Sequence, residues 1–198
     1  MMPRSETRSD DELMGAYLAG ESRAMEALYL RHKAAVYSWL AGMFSPADAD
    51  DLYQDAWLRI VRSSSSFKGS GFKPWLWRIT RNLAISAMRK KRPDLWLDEP
   101  AGEDGEAPAI DGVADGNAAP ANIPVELSED RARLRAAVAA LPARRREILL
   151  LRIDAEMTFA EIAETLGMPI GTVLGAMHRA IASLKESLAG KGENCNAR

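Results

Sequence analysis

Residues 158–180 read TFAEIAETLGMPIGTVLGAMHRA, which has the spacing of a helix-turn-helix. Thr158 followed three residues later by Glu161 predicts a capping box, in which a hydroxyl and a carboxylate satisfy backbone N–H groups at a helix start. Gly167 can adopt the left-handed conformation that a tight turn needs, and Val173 then points into the angle between the helices. An ordinary helical hairpin is the alternative, but these offsets together favour a second helix placed in the major groove of DNA.

Two further helices are predicted before this motif, over residues 127–140 and 142–153, because apolar residues recur there at a spacing of three to four. The last helix of the motif is expected to continue to about residue 188. Leu134, Ala137, Val138 and Leu141 are expected on one face of the first of these helices, Ile148, Leu149 and Leu151 are the apolar residues of the second, and Ile181 and Leu184 continue the last helix. The C-terminal part of the chain is therefore predicted to be a small helical domain.

The N-terminal part shows the same helical periodicity. Asp10, Asp11 and Glu12 suit the positive end of a helix, and a break at residues 20–22 precedes a second helix. Residues 46–51, PADADD, supply a turn and the acidic start of a third helix. The side chains expected to be buried in these three helices are Leu13, Tyr17, Leu18, Ala24, Leu28, Tyr29, Val36, Tyr37, Leu40, Leu52, Ala56, Trp57 and Ile60.

The third helix has a polar face opposite its apolar stripe, formed by Asp51, Gln54, Asp55 and Arg59. On spacing alone, a solvated face is the preferred interpretation, because surface helices ordinarily place polar side chains there. The spacing by itself therefore assigns no function to this face.

Residues 63–73, SSSSFKGSGFK, predict a flexible loop with two lysines and two phenylalanines, and a helix begins near Pro74. Residues 73–92 contain seven basic residues and no acidic one. The side chains expected to point inward are Trp75, Leu76, Ile79 and Leu83. Cations and aromatic rings in this arrangement suit separated DNA strands, because phosphates need positive charge and unstacked bases need rings to stack on. The alternative is that the tryptophans are core and the basic run only makes the helix end soluble.

The distribution of charge divides the chain. Residues 1–92 have 15 basic and 10 acidic side chains. Residues 93–130 have no basic and 11 acidic side chains, and residues 131–198 have 11 basic and 7 acidic side chains. Two basic blocks joined by an acidic segment indicate two domains that face nucleic acid and a linker that DNA repels. Residues 93–126 also contain five prolines and too little apolar surface to offset the entropy of ordering, so a mostly disordered, flexible linker is predicted.

Composition excludes several classes of protein. The chain has 198 residues, of which 47% are hydrophobic, which allows one domain or two small ones. It contains no apolar run of about 18 residues and does not start with a signal peptide, so we expect a cytoplasmic protein without membrane insertion. Its one cysteine, Cys195, cannot form an internal disulfide or a zinc site alone. Neither His32 nor His178 has a carboxylate or thiol nearby in the sequence at a catalytic spacing, so no enzyme is predicted. Both histidines are expected at the protein surface or in the DNA groove.

Three stretches match one known pattern when they are taken together. They are residues 47–60, ADADDLYQDAWLRI, residues 72–92, FKPWLWRITRNLAISAMRKKR, and residues 141–184, which contain the helix-turn-helix. In this order they resemble the polymerase-binding helix, the promoter-melting and minus-ten-reading helix, and the minus-thirty-five-binding domain of bacterial extracytoplasmic-function sigma factors. The resemblance covers most of residues 10–92 and 127–188.

The resemblance implies an all-α fold of two small helical domains. They span residues 10–92 and 127–189, with the acidic linker at 93–126 between them and a tail at 190–198. It implies a factor that binds core RNA polymerase, recognises a subset of promoters and initiates transcription by trapping the melted minus-ten strand. No cofactor or metal is implied. The expected partners are core polymerase, promoter DNA and an anti-sigma factor.

The matched positions also imply site residues. The residues expected to bind polymerase are Asp51, Leu52, Gln54, Asp55 and Trp57. Those expected to contact the minus-ten strand are Phe67, Lys68, Phe72, Lys73, Trp75, Arg78, Arg81, Asn82, Arg89 and Lys90. Those expected to contact the minus-thirty-five element are Arg144, Arg145, Thr158, Gly171, Thr172, His178 and Arg179, with Arg146 as a further donor.

Residues 174–177 depart from the family pattern. Leu174 and Ala176 stand where the family commonly has polar or basic donors, and Gly175 inside a helix costs about 1 kcal/mol relative to alanine. We therefore expect upstream recognition to depend more on phosphate contacts and DNA shape than on base-edge hydrogen bonds. An alternative for the whole chain is a helix-turn-helix regulator whose N-terminal block is a sensor or a dimerisation domain.

Overall fold

The computed structural model describes residues 8–91 and 128–189, in which all regular structure is helical. The first range contains α1 Asp10–Leu18, α2 Ser22–Met43, α3 Pro46–Arg62, a 3-10 turn at Ser64–Ser66 and α4 Phe72–Lys91. The second contains α5 Ser128–Ala140, α6 Ala143–Ile153, α7 Phe159–Leu166 and α8 Ile170–Ala189. The predicted all-α class with a C-terminal helix-turn-helix is confirmed. The predicted linker at 93–126, the tail at 190–198 and Cys195 lie outside the described residues.

One compact unit contains α1 to α4, and a second contains α5, α6, residues 159–163 of α7, and α8. In the first unit α1 packs on both α2 and α4, and α3 packs on the same two helices. Trp39 and Trp77 meet in this core with their rings edge to face and their centroids 5.8 Å apart. Both side chains are fully buried. Trp77 was not among the residues that periodicity placed inside, so its position is a result of packing.

Three side chains expected in this core are exposed. Leu18, Tyr29 and Tyr37 have 46%, 36% and 41% of their surface open to solvent. The tyrosines lie at the edge of the contact between α2 and α3, where their hydroxyls find polar partners. The Tyr37 hydroxyl donates to Asp50 over 3.0 Å, and the Tyr53 hydroxyl donates to that of Tyr29 over 3.1 Å. Leu18 lies in the last turn of α1, at the edge of the unit.

The expectation that both histidines lie at the surface is wrong for His32. This side chain is only 7% exposed, and its Nε2 lies 2.8 Å from Oδ2 of Asp10, which is 22 residues earlier in the chain. Arg31 also donates to Asp10 and pairs with it. The packing of α1 on α2 brings these groups together, so local sequence spacing could not reveal the pair. His178 is exposed, as expected.

The Asp10 cluster predicts a dependence of stability on pH. Burial raises the pKa of Asp10, but the hydrogen bonds and positive charges of His32 and Arg31 outweigh burial and hold this pKa below its ordinary value of 3.8. A lowered pKa stabilises the folded state fully above the unfolded pKa, and the stabilisation is lost as pH falls through the folded pKa. The destabilisation by Asp10→Asn should therefore be larger at about pH 6 than at about pH 3, where part of the stabilisation is already lost. Urea unfolding at both pH values measures this, and an equal loss at both would contradict it.

The second unit confirms the predicted helix-turn-helix. The Thr158 backbone N–H donates to the Glu161 carboxylate over 2.7 Å, and the Glu161 N–H donates to the Thr158 hydroxyl over 3.2 Å, so the capping box is formed. Gly167 has φ +65°, a conformation that favours glycine. Val173 is fully buried, as its position in the motif predicts. The motif therefore depends on local signals that a single sequence displays.

α5 and α6 complete the second unit around a cluster of Leu141, Leu149 and Ala180. Leu134 was expected on the inner face of α5 but is 45% exposed. Arg146 was expected as a DNA donor, yet its guanidinium donates to the main-chain oxygens of Ala139 and Leu141 over 2.6 and 2.9 Å. These oxygens have no partner within α5, because a helix end leaves its last carbonyls unsatisfied. Arg146 therefore joins α6 to the end of α5.

Candidate polymerase and nucleic-acid interfaces

α3 exposes an acidic face near its first half. Ser45 caps the helix by accepting a hydrogen bond from the Asp48 N–H, and Pro46 occupies the first turn, where its missing N–H costs little. Asp51, Gln54 and Asp55 are all exposed. Asp51 and Asp55 are four residues apart and therefore lie on one side of the helix. Their carboxylates are available to a basic partner.

The other two residues expected to bind polymerase, Leu52 and Trp57, are each 8% exposed. The Trp57 ring packs edge to face against Tyr29, with 4.9 Å between centroids, and lies 6.5 Å from Tyr53. In this structure Leu52 and Trp57 are therefore buried in the packing of α3, and only the polar residues of the acidic face are exposed.

The segment between α3 and α4 is more ordered than the predicted flexible loop. Phe67, Phe72 and Trp75 form an aromatic cluster whose ring centroids lie 5.7 to 6.1 Å apart, and the exposures of the three are 7%, 1% and 6%. His32 lies against the ring of Phe72 at 5.5 Å. The rings therefore offer no open faces to DNA bases in the free protein, and their contact with the minus-ten strand stays a prediction. Apolar burial explains the result, because each aromatic ring contributes a large apolar area to the core.

An acidic side chain from α1 fixes the start of α4. The N–H groups of Gly71 and Phe72 donate to the two carboxylate oxygens of Asp11 over 3.2 and 2.7 Å. A carboxylate is favourable at this position because the first N–H groups of a helix lack partners and carry partial positive charge. Trp75 adds a hydrogen bond from its indole N–H to the Ser66 hydroxyl over 3.2 Å. This role of Asp11 has no local signal in the sequence, because the contact spans 61 residues.

Removing the Asp11 carboxylate should loosen this segment. Asp11→Ala is expected to cost about 1 to 2 kcal/mol, the usual range for losing a helix cap. Amide hydrogen exchange at Gly71 and Phe72 should accelerate by about 5- to 30-fold. Asp11→Asn keeps one acceptor oxygen and should have a smaller effect. Unchanged exchange in the alanine variant would show that the aromatic cluster holds the segment alone.

α4 presents a basic outer face. Arg78, Asn82 and Arg89 are exposed and lie at positions that one side of a helix shares. Lys90 and Lys68 are also exposed. Of the other residues expected to contact the minus-ten strand, Lys73 and Arg81 are half-buried and the three aromatic residues are buried. The outer face therefore consists of cations around one amide, which can meet phosphates and a base edge.

The residues expected to contact the minus-thirty-five element differ in exposure. Gly171 and His178 are exposed, whereas Thr172, Arg179 and Arg145 are half-buried. Two others have partners within the unit: the Arg144 guanidinium lies 3.5 Å from the buried Glu147 carboxylate, and the Thr158 hydroxyl belongs to the capping box.

The departures from the family pattern at residues 174–177 face different ways. Ala176 is 2% exposed and Gly175 is also buried, so neither residue is at the surface of the second unit. The expectation that Ala176 removes a DNA donor stays a prediction. Leu174 is half-buried, so part of its side chain is exposed on α8, at the position where the family commonly has a polar or basic donor.

Within residues 8–91 and 128–189, none of the helices combines the length and apolar character that crossing a bilayer requires. The same residues contain no group of three or more His, Cys, Asp or Glu side chains placed to hold a metal ion.

Family models match both units. The model of sigma-70 region 2 matches residues 28–93, and that of sigma-70 region 4 matches residues 131–184. An acidic helix, a basic helix and a helix-turn-helix in this order thus define a bacterial transcription initiation factor of the sigma-70 type.

Similarity to individual proteins identifies the group of sigma factors within the sigma-70 type. The chain is 35% identical to the ECF RNA polymerase sigma factor SigW of Bacillus subtilis over 71% of this chain and 75% of SigW. It is 30% identical to the ECF RNA polymerase sigma factor SigM of Mycobacterium tuberculosis over 96% and 90% of the two chains. The chain belongs to the family of ECF RNA polymerase sigma factors. Its function is that of a sigma factor, and the alternative of a regulator with a sensor block is not favoured.

A solved structure has the same fold. RpoE of Bartonella quintana, determined in complex with the anti-sigma factor NepR, aligns with a TM-score of 0.61 and 24% identity over 84% of this chain and 98% of that one. The fold found here is therefore shared with that structure.

Proposed function

We propose that this sigma factor divides its work between three surfaces. The acidic face of α3 binds core polymerase, the outer face of α4 holds the melted minus-ten strand, and α8 meets the minus-thirty-five element. The polymerase performs the chemistry, and the sigma factor supplies binding energy without a catalytic residue. The protein acts in the cytoplasm, where polymerase and promoters are found.

The exposure of Asp51, Gln54 and Asp55 on one side of α3 carries this proposal. Carboxylates are ordinarily paired or directed to a partner when they cluster, because like charges repel. Among the described residues, neither Asp51 nor Asp55 forms an ion pair within the chain. A basic surface on the polymerase would relieve this repulsion and orient the docking.

α4 favours opening of the promoter DNA by binding the separated strand selectively. Unstacking a base costs a few kcal/mol, and a protein favours the open strand when it binds groups that the duplex hides. Arg78 and Arg89 supply phosphate contacts, and Asn82 supplies an amide that can pair with a base edge. Because Phe67, Phe72 and Trp75 are buried, stacking on them requires the segment before α4 to open. Its hydrogen bonds to Asp11 oppose that opening.

In the second unit, Gly171, Thr172 and His178 lie at or near the start and outer side of α8. The helix N-terminus favours a phosphate, because its first N–H groups lack partners. Arg144, Arg145 and Arg179 add positive charge on α6 and α8. This set supports recognition based mainly on phosphates and DNA shape.

We assign these roles to two domains, residues 10–92 and 127–189. Residues 93–126 join them as an acidic tether, and an anti-sigma factor controls access to the domains. The complex of RpoE with NepR motivates the last assignment. Two domains on a tether can be clamped by one partner, because the linker leaves their arrangement free.

Reconstitution tests the proposal. The purified protein mixed with core polymerase should give transcripts from its promoter, and core polymerase alone should not. The holoenzyme should also retain a single-stranded oligonucleotide that carries the minus-ten element. Failure to bind core polymerase, or failure of the assembly to retain the oligonucleotide, would overturn the assignment of α3 or of α4 respectively.

A further inference from the structure

The end of α3 is basic, in contrast to its beginning. Arg59 and Arg62 lie in its last turn and are exposed. With Ser63 they line an open depression of about 530 Å³, whose other side is formed by Ile79 and Asn82 of α4. The lining contains two guanidinium groups and no carboxylate. This depression thus joins the end of α3 to the outer face of α4.

The side chains of Arg59 and Arg62 do not form ion pairs with the carboxylates of the acidic face. Asp55 and Arg59 are four residues apart, a spacing at which an ion pair commonly forms on a helix. No such pair exists, and within the described residues the side chains of Arg59 and Arg62 have no hydrogen-bond or ion-pair partner. The positive charges are therefore free to meet a ligand at the α4 side.

The chemistry of the depression fits one class of ligand. A guanidinium presents N–H groups in a fork that matches two oxygens of a phosphate. Ile79 provides an apolar surface against which a sugar or base can pack, and the Asn82 amide can donate to and accept from a base edge. Because the depression is open at the surface, a chain can pass through it.

We propose that Arg59 and Arg62 bind the phosphate backbone of the separated promoter strand beside the base that Asn82 contacts. α3 then serves two partners, with polymerase on its acidic face and DNA at its basic end. Arg59 and Arg62 line the depression with Asn82, and Arg78 and Arg89 lie on the same side of α4, one turn before Asn82 and two turns after it. The inference rests on the proposed role of α4 in holding the minus-ten strand.

The test uses the double variant Arg59→Gln and Arg62→Gln, assembled with core polymerase. Its affinity for a single-stranded minus-ten oligonucleotide is measured between about 50 and 200 mM salt, a range in which counterion release is readily resolved. Each lost phosphate contact on a single strand lowers the slope of log affinity against log salt by about 0.7, so a decrease of about 1.4 is expected. Arg→Lys replacements at both positions should restore most of the slope, because they keep the charge.

The control Arg23→Gln and Lys33→Gln also removes two exposed positive charges, both on α2, and should leave the slope unchanged. Core polymerase binding should be unchanged in every variant. An unaltered slope in the α3 variant, or a loss of polymerase binding in place of DNA binding, would overturn the inference. Asn82→Ala distinguishes failure of this inference from failure of the proposed role of α4. If Asn82→Ala weakens DNA binding and the α3 double variant does not, only the role of Arg59 and Arg62 is refuted.

Discussion

Reversing the charge of Asp51 and Asp55 to lysine is expected to abolish promoter-dependent transcription by preventing assembly with core polymerase. Both carboxylates are exposed on one side of α3, and neither belongs to a hydrogen bond or ion pair within the described residues. Placing like charges against each other in an interface costs several kcal/mol, which corresponds to a decrease in affinity of about 100-fold or more. Titration of labelled sigma factor with core polymerase measures the loss.

The matched control reverses two exposed acids elsewhere, Glu26→Lys on α2 and Glu186→Lys on α8. It changes the net charge by the same amount and should bind core polymerase normally. The circular dichroism of both double variants should equal that of the parent protein, because the replaced side chains are at the surface. If the control loses as much affinity as the α3 variant, net charge and not the acidic face governs assembly.

Truncation of Trp77 should have the largest effect on stability. Trp77 is fully buried and packs edge to face on Trp39, so Trp77→Ala leaves a large cavity and is expected to cost about 3 to 5 kcal/mol. That loss is a large part of the roughly 5 to 15 kcal/mol that stabilises a typical domain. Denaturant unfolding followed by tryptophan fluorescence measures it, because all five tryptophans of the chain precede residue 97 and α5 to α8 contain none.

Trp77→Phe is the informative comparison. The indole N–H of Trp77 is buried without a hydrogen-bond partner, and an unsatisfied buried donor costs about 1 to 3 kcal/mol. Phenylalanine removes this donor while keeping an apolar ring, so it should destabilise far less than alanine. Equal losses in the two variants would indicate that the shape of the indole, and not apolar volume, determines the packing between α2 and α4.

Several features could be predicted from the sequence because their signals are local. The capping box at Thr158 and Glu161 and the turn at Gly167 involve residues a few positions apart, and the structure contains both. The break at residues 20–22 and the start of α3 at Pro46 follow from turn and capping preferences. The acidic face of α3 is visible in the spacing of Asp51 and Asp55, since a helix repeats every 3.6 residues.

Burial of aromatic residues was harder to predict. The sequence around Phe67, Phe72 and Trp75 suits both a DNA-binding loop and a core, because phenylalanine and tryptophan occur in both and the residue type alone does not distinguish them. The structure places all three rings in one cluster. Tyr29 and Tyr37 had the periodicity of core residues but lie at an edge, because their hydroxyls need polar partners. Periodicity identifies a face of a helix, and the neighbouring helices decide how much of that face they cover.

The sequence by itself determined the helical class, the helix-turn-helix and the acidic and basic faces of α3 and α4, because these depend on residues within one or two turns of each other. Only the tertiary structure brought Asp10 to His32, across 22 residues, and Asp11 to the start of α4, across 61. It also joined the arginines of α3 to Asn82 on α4 in one depression. Such contacts form only when whole helices pack, and the free energy that fixes their partners comes from apolar burial throughout the unit.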